Sequence, residues 1–154
     1  MADERRTFEV SLVTPEGAAY EGECRMLIVP GAAGEIGILA RHAPLVAMLK
    51  AGSTRVHVHD NEVLEFATGP GFFKVEQDRA LALVDHAVDA RQIDIGRAQQ
   101  QLEEARAELE RIEAGESDAD RWQVEQRLRH AENQLSVAGG GPALDQRTVA
   151  PPAG

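Results

Sequence analysis

The apolar residues of this chain change their spacing near Asp85, and that change limits the fold more than any single motif does. Before it they alternate with polar residues. Phe8, Val10 and Leu12 are separated by Glu9 and Ser11, the two-residue period of a half-buried strand. After it they recur at intervals of three and four. Ile95, Ala98, Leu102, Ala105, Leu109 and Ile112 make one such stripe, and Val124, Leu128, Ala131, Leu135 and Ala138 make a second. Both are helical stripes of heptad type. The two periods belong to different elements, so the chain reads as two parts in series.

The first part is a succession of short strands. Pro15-Glu16-Gly17 turns the first into Cys24–Val29, which ends at Pro30. The ribbon 31–49, GAAGEIGILARHAPLVAML, follows. Ile36, Ile38 and Leu39 form a brief strand, Pro44 forces the residue before it toward extended geometry, and Leu45, Val46, Met48 and Leu49 are expected to return to the core. Ala51-Gly52, the tip Asp60-Asn61, Gly69-Pro70-Gly71 and Gln77-Asp78-Arg79 separate four further strands. Such spacing predicts an antiparallel sandwich or flattened barrel.

In the second part Gly115 stops the first helix. Ser117, with Asp120 three residues on, has capping-box spacing for the next, and Gly139-Gly140-Gly141-Pro142 ends that one. Matched stripes joined by a few residues predict an antiparallel helical hairpin. Alanine alternates with leucine along both seams, so the helices can approach closely but bury little area per turn. The expected fold is therefore α+β: an antiparallel β-sandwich or flattened barrel over 1–87, a helical hairpin over 88–138, and a disordered Gly/Pro/Ala-rich tail over 139–154.

Composition removes several classes of function. A net charge of −10 argues against sequence-independent nucleic-acid binding, which depends on Lys and Arg neutralising phosphates. The single cysteine, Cys24, excludes an intramolecular disulfide. No apolar run approaches the length of a membrane helix, and Met-Ala-Asp-Glu-Arg-Arg lacks the apolar core of a signal peptide. A soluble chain is expected, meeting a membrane only through a complex.

Catalytic constellations are missing as well. Ser11, Ser53, Ser117 and Ser136 lie in no nucleophile elbow, and Gly31, Gly34 and Gly37 lack the Gly-Lys-Ser/Thr ending of a phosphate loop. No residue is assigned to catalysis. His57 and His59 share a strand face and could chelate with Asp60, Asp85 or His86, but an exposed strand face explains them equally well. No metal is assigned.

Gly34-Glu35-Ile36-Gly37-Ile38-Leu39 followed by His42-Ala43-Pro44-Leu45 resembles a segment of the epsilon subunits of F-type ATP synthases. Ala40-Arg41 stands where that family usually has Pro-Gly. Gly69-Pro70-Gly71-Phe72-Phe73-Lys74-Val75 resembles the family's second glycine-marked strand entry. Ile93-Asp94-Ile95-Gly96-Arg97-Ala98 resembles the start of its first C-terminal helix, and Leu135-Ser136-Val137-Ala138 the end of its second. The resemblance runs collinearly over residues 7–138.

The resemblance implies a non-catalytic rotor subunit of the central stalk. It would be peripheral on the cytoplasmic face of a bacterial plasma (inner) membrane. Its partners would be the gamma subunit, the c-ring and the alpha/beta catalytic head. Glu35 would face the c-ring and His42 would lie near the gamma contact. Arg121, Arg127 and Arg129 would meet acidic groups of the catalytic subunits when the hairpin opens, restraining ATP hydrolysis. From spacing alone, these arginines form a solvated face with Arg121–Glu125 and Glu125–Arg129 pairs. Ile93, Asp94 and Arg97 match an ATP-sensing pattern found in some bacterial relatives, which would make ATP a regulatory ligand; no other cofactor is implied. Aligned on the same resemblance, His130 and Gln134 stand where that site uses arginines. A local helix cap and ion pair is the simpler reading of Asp94 and Arg97. The rival from another class is a free-standing small-molecule-binding sandwich that dimerises through its hairpin.

Overall fold

The computed structural model describes residues 6–59 and 61–139. Asp60 at the expected hairpin tip, and the tail from 140, lie outside the described residues.

Among the described residues, ten strands make up the first part: β1 Phe8–Thr14, β2 Gly17–Cys24, β3 Met26–Gly31, β4 Gly34–Leu39, β5 Leu45–Leu49, β6 Gly52–His59, β7 Glu62–Thr68, β8 Gly71–Glu76, β9 Arg79–Val84 and β10 Ala87–Asp89. They hydrogen-bond in the order β10-β7-β6-β3-β5-β8-β9-β1-β2, with β4 paired to β3 off this path. The pairings are antiparallel except that β1 runs parallel to β9, Val10 opposite Ala80 and Leu12 opposite Ala82. The alternation read in β1 has its physical counterpart here. Phe8, Val10 and Leu12 are buried and join Leu27, Val29, Ile38, Val56, Phe73 and Val75 in one core. Each fully buried side chain of this size is worth about 1.5–3 kcal/mol.

Strand β5 departs from expectation. Leu49 is buried and Leu45 packs partly buried against the core, as expected, but Val46 and Met48 are 61% and 63% exposed. The pleat sends alternate residues to opposite faces whatever their chemistry, so an all-apolar strand beside antiparallel neighbours must show half its side chains to solvent.

Cys24 is fully buried within this core, and burial pushes its thiol up from 9.0 to about 12. The folded-state value lies above the unfolded one, so the contribution of the protonated thiol to stability is complete below about pH 9 and is lost as pH rises toward 12. A maleimide should therefore leave the native chain unlabelled at about pH 8 and label it fully in denaturant, because the thiolate is the nucleophile. Equal labelling rates in both conditions would contradict the buried thiol.

The second part contains α1, Ile95–Glu113, and α2, Arg121–Val137. Ala98, Leu102, Ala131 and Leu135 are buried together with Leu128 packed against them, and Ala105 and Val124 are also buried. These are positions of the two stripes. Gly115, at φ +77°, closes α1: its N–H donates to Ile112 and that of Glu116 to Arg111, a Schellman end. The start of α2 is a correction. Asp120, not Ser117, is the cap, its carboxylate accepting the Trp122 N–H at 2.9 Å. The Ser117 hydroxyl instead donates to Glu108 of α1 and accepts from the Ala119 N–H, so it fastens the turn. The chain divides between Ala90 and Arg91.

Candidate functional site

The ribbon between β3 and β4 is built around small residues. A Cβ on Gly31 would lie 2.7 Å from the Gly34 carbonyl oxygen and from Ile36 Cδ1, so glycine alone fits there. Ala32 and Ala33 cross the tip, and Gly34 takes φ +142°. Just beyond, Glu35 stands 60% exposed, and Arg55 Nη2 of β6 donates to its Oε2 at 2.9 Å. Beside it lies a shallow hollow of about 500 Å³ lined by Ala32, Ala33, Glu35, Ile36, Ala47 and Met48.

His42 is not part of that group. Glu35 is near one end of β4 and His42 lies past the other, about 13 Å of strand apart between residues 35 and 39 alone. The half-buried imidazole donates from Nδ1 to the Ala43 carbonyl at 2.6 Å. Arg41, where the resembled family usually has glycine, adopts φ +67°, and its N–H donates to the Asp78 carboxylate at 2.5 Å. A side chain in this left-handed conformation costs about 1–2 kcal/mol, which explains the usual preference for glycine there.

An apolar surface missed by sequence reading runs across three strands. Met48 of β5 lies opposite Phe72 of β8, which lies opposite Leu83 of β9; Met48 and Leu83 are exposed, as is Val46. The only signal for it was the unbroken apolar run of β5.

His57 and His59 line a separate hollow of about 660 Å³ with Arg6, Arg25, Arg41 and Glu62. His59 Nε2 is 3.5 Å from Glu62, and His57 Nε2 is buried without a partner among the described residues. Asp85 and His86 pair with each other at 2.7 Å. Among the described residues, no group of three or more His, Cys, Asp or Glu is placed to hold a metal ion.

In the hairpin, Asp94 is the N-cap of α1. Its carboxylate accepts the backbone N–H of Arg97 at 3.0 Å, not the guanidinium, which stands exposed; the expected Asp94–Arg97 ion pair is replaced by the cap. Ile93 is half-buried just before it. On α2, Gln134 Nε2 and His130 Nε2 lie 2.5 Å apart in a hydrogen bond. Arg121 pairs with Glu125 at 3.1 Å and reaches across the turn to Glu113, also at 3.1 Å. Its hydrogen bonds to Glu113 first, then to Glu125, raise its already high pKa. Arg127 and Arg129 are exposed, and neither makes an ion pair among the described residues, so the expected Glu125–Arg129 pair is not formed.

The family model described as ATP synthase, Delta/Epsilon chain, beta-sandwich domain matches residues 7–90. The ATP synthase epsilon chain of Rubrobacter xylanophilus is 34% identical over 147 residues, covering 92% of this chain and 100% of the relative. That of Halalkalibacterium halodurans is 38% identical over 133 residues, covering 86% of this chain and 98% of the relative. Among solved structures, a chain of the Euglena gracilis mitochondrial ATP synthase (OSCP/F1/c-ring in rotational state 1) aligns with TM-score 0.64 at 21% identity. It covers 90% of this chain and 81% of that chain, a likeness of fold. On the full-length match to curated relatives and the matched sandwich domain, the chain belongs to the ATP synthase epsilon chain family.

Proposed function

We propose that the chain is a non-catalytic rotor subunit in the central stalk of a bacterial ATP synthase, peripheral on the cytoplasmic face of the plasma membrane, coupling c-ring rotation to the catalytic head. The observation that carries this is the match to an epsilon chain along all of that relative's length, strands and helices together. A free-standing binding protein that merely reused the sandwich would not be expected to keep the hairpin in register.

The sandwich supplies the docking surfaces. The Glu35 end of β4 faces the c-ring and the His42 end faces the gamma subunit. Their separation at opposite ends of one strand suits two different partners better than one shared site. The apolar face of Val46, Met48 and Leu83 is a further surface on which a rigid partner could press, since contiguous exposed apolar residues mark interaction sites. The hairpin supplies regulation, with Arg121, Arg127 and Arg129 as its contacts to the catalytic subunits. Of Ile93, Asp94 and Arg97, Asp94 acts as the cap of α1, its Oδ1 accepting the Arg97 N–H.

The test replaces Glu35 in the assembled synthase. Glu35→Ala and Glu35→Arg should lower ATP-driven proton pumping at unchanged rates of hydrolysis, by about fivefold for the charge reversal. The thermal midpoint of the isolated chain should hardly move, since an exposed pair contributes about 0–1 kcal/mol. Unchanged pumping and assembly in both variants would remove Glu35 from the interface.

A further inference from the structure

We infer that Arg55 is a positioning residue for the docking carboxylate, holding Glu35 by one oxygen so that the other is presented to a hydrogen-bond donor on the partner. The inference rests on the reading of Glu35 as a partner contact.

The geometry starts from strand register. Arg55 on β6 lies opposite Ile28 on β3, and Ile28 lies opposite Gly37 on β4, so the three form one row across the sheet on one face. Glu35 is two residues from Gly37 and shares that face. On this shared face the Arg55 guanidinium crosses β3 and meets Glu35 Oε2 at 2.9 Å.

Arg55 has a nearer acid that it does not use. Glu65 of β7 lies directly opposite it, but Ser53 donates to Glu65 Oε2 at 2.6 Å. The Arg55 Nε is buried and has no acceptor among the described residues. Among these residues, Glu35 is the acceptor that Arg55 engages, through Nη2. Only Oε2 of Glu35 is engaged among the described residues, and the side chain is 60% exposed. A carboxylate keeps about four lone-pair sites, so Oε1 remains able to accept from a partner beside the alanine-lined hollow. A side chain already ordered by Arg55 loses less freedom when a partner binds than a free glutamate would, and this is a gain in affinity without a new contact. The matching partner surface carries an N–H or cationic donor next to a small apolar knob.

The test adds full-length chain to synthase depleted of this subunit and measures the dissociation constant for reassembly. Glu35→Ala and Arg55→Ala should each weaken reassembly by roughly tenfold, and the double variant should be no weaker than Glu35→Ala alone, since Arg55 acts only through Glu35. Arg55→Lys should recover part of the loss, because an ammonium can still hold one oxygen. The thermal midpoints of all four should stay close to the parent. Parental affinity for Arg55→Ala beside a weakened Glu35→Ala would overturn the positioning role and leave Glu35 as a contact. Additive losses in the double variant would overturn it too, because Arg55 would then touch the partner itself. Parental affinity for Glu35→Ala would remove the contact and this inference together.

Discussion

Gly71→Ala lowers the thermal midpoint of this chain's sandwich by about 12 °C or more. A Cβ built on Gly71 lies 1.9 Å from the Leu83 carbonyl oxygen and 2.8 Å from the Leu83 carbonyl carbon and the Val84 Cα. All three are backbone atoms of β9, so no rotamer change relieves the clash. Gly71 is also pinned from the other side, since it lies opposite Leu49 of β5 as well as Val84 of β9. Relief requires one of two ladders to shift. Overpacking a fixed site costs about 1–3 kcal/mol and at times more, and the upper end applies where backbone must move. For a domain of this size each kcal/mol is worth about 4–8 °C, which gives the expected shift. Gly37→Ala is the control. Its Cβ meets nothing within 4 Å, and alanine in a strand is favoured over glycine by about 0.5–1 kcal/mol, so that variant should be neutral or slightly more stable. Circular dichroism melts of the two variants decide the matter; a Gly71→Ala midpoint within about 2 °C of the parent would show that the close approach is not a constraint.

The same glycine marks the limit of sequence reading. Gly69-Pro70-Gly71 is legible as a break between strands, but the reason for its glycines lies elsewhere in the chain. A Cβ at Gly69 would meet Asp85 Oδ1 at 1.8 Å and His86 Cε1 at 2.5 Å, residues sixteen and seventeen positions on. Local pattern cannot contain a contact that only topology creates. What is local was legible. The stripes of α1 and α2 follow from apolar spacing, and Gly115 and Asp94 end and begin a helix through bonds to residues two to five away. Ser117 shows how local rules mislead when two fit. It had capping spacing, but a second acceptor on α1 and a competing cap at Asp120 were both within reach. At the proposed docking surface, Glu35 could be picked out by its isolation among small residues. Arg55 could not, because its link to Glu35 crosses an intervening strand.

Replacing Arg121, Arg127 and Arg129 by alanine should raise ATP hydrolysis by the intact synthase roughly fivefold or more while leaving ATP synthesis nearly unchanged, the size of a modest coupling between sites. The argument rests on how little the closed hairpin gains. Its seam buries Ala98, Ala105 and Ala131, which contribute little area, and its larger buried side chains are Val124, Leu102 and Leu135, with Leu109, Ile112 and Leu128 only half-buried. Each buried leucine is worth on the order of 2 kcal/mol. The Arg106–Glu132 pair between the helices, at 3.9 Å and largely exposed, adds at most about 1 kcal/mol. A closed state held this lightly can lie within a few kcal/mol of an open one, and contacts elsewhere can then reverse the balance. The three arginines do not enter that balance alike. Arg121 must give up Glu113 and Glu125 before it can bind another acid, whereas Arg127 and Arg129 have no such pair to break. The double variant Arg127→Ala/Arg129→Ala should therefore carry most of the effect, and Arg121→Ala alone should carry little, since it also loosens the closed turn. An engineered disulfide joining α1 to α2 should raise hydrolysis to the same level by keeping the arginines away from the head. A hairpin that never opens predicts parental hydrolysis in every one of these variants, and hydrolysis that stays suppressed in both the alanine variants and the cross-linked chain would show that the brake lies elsewhere in the enzyme.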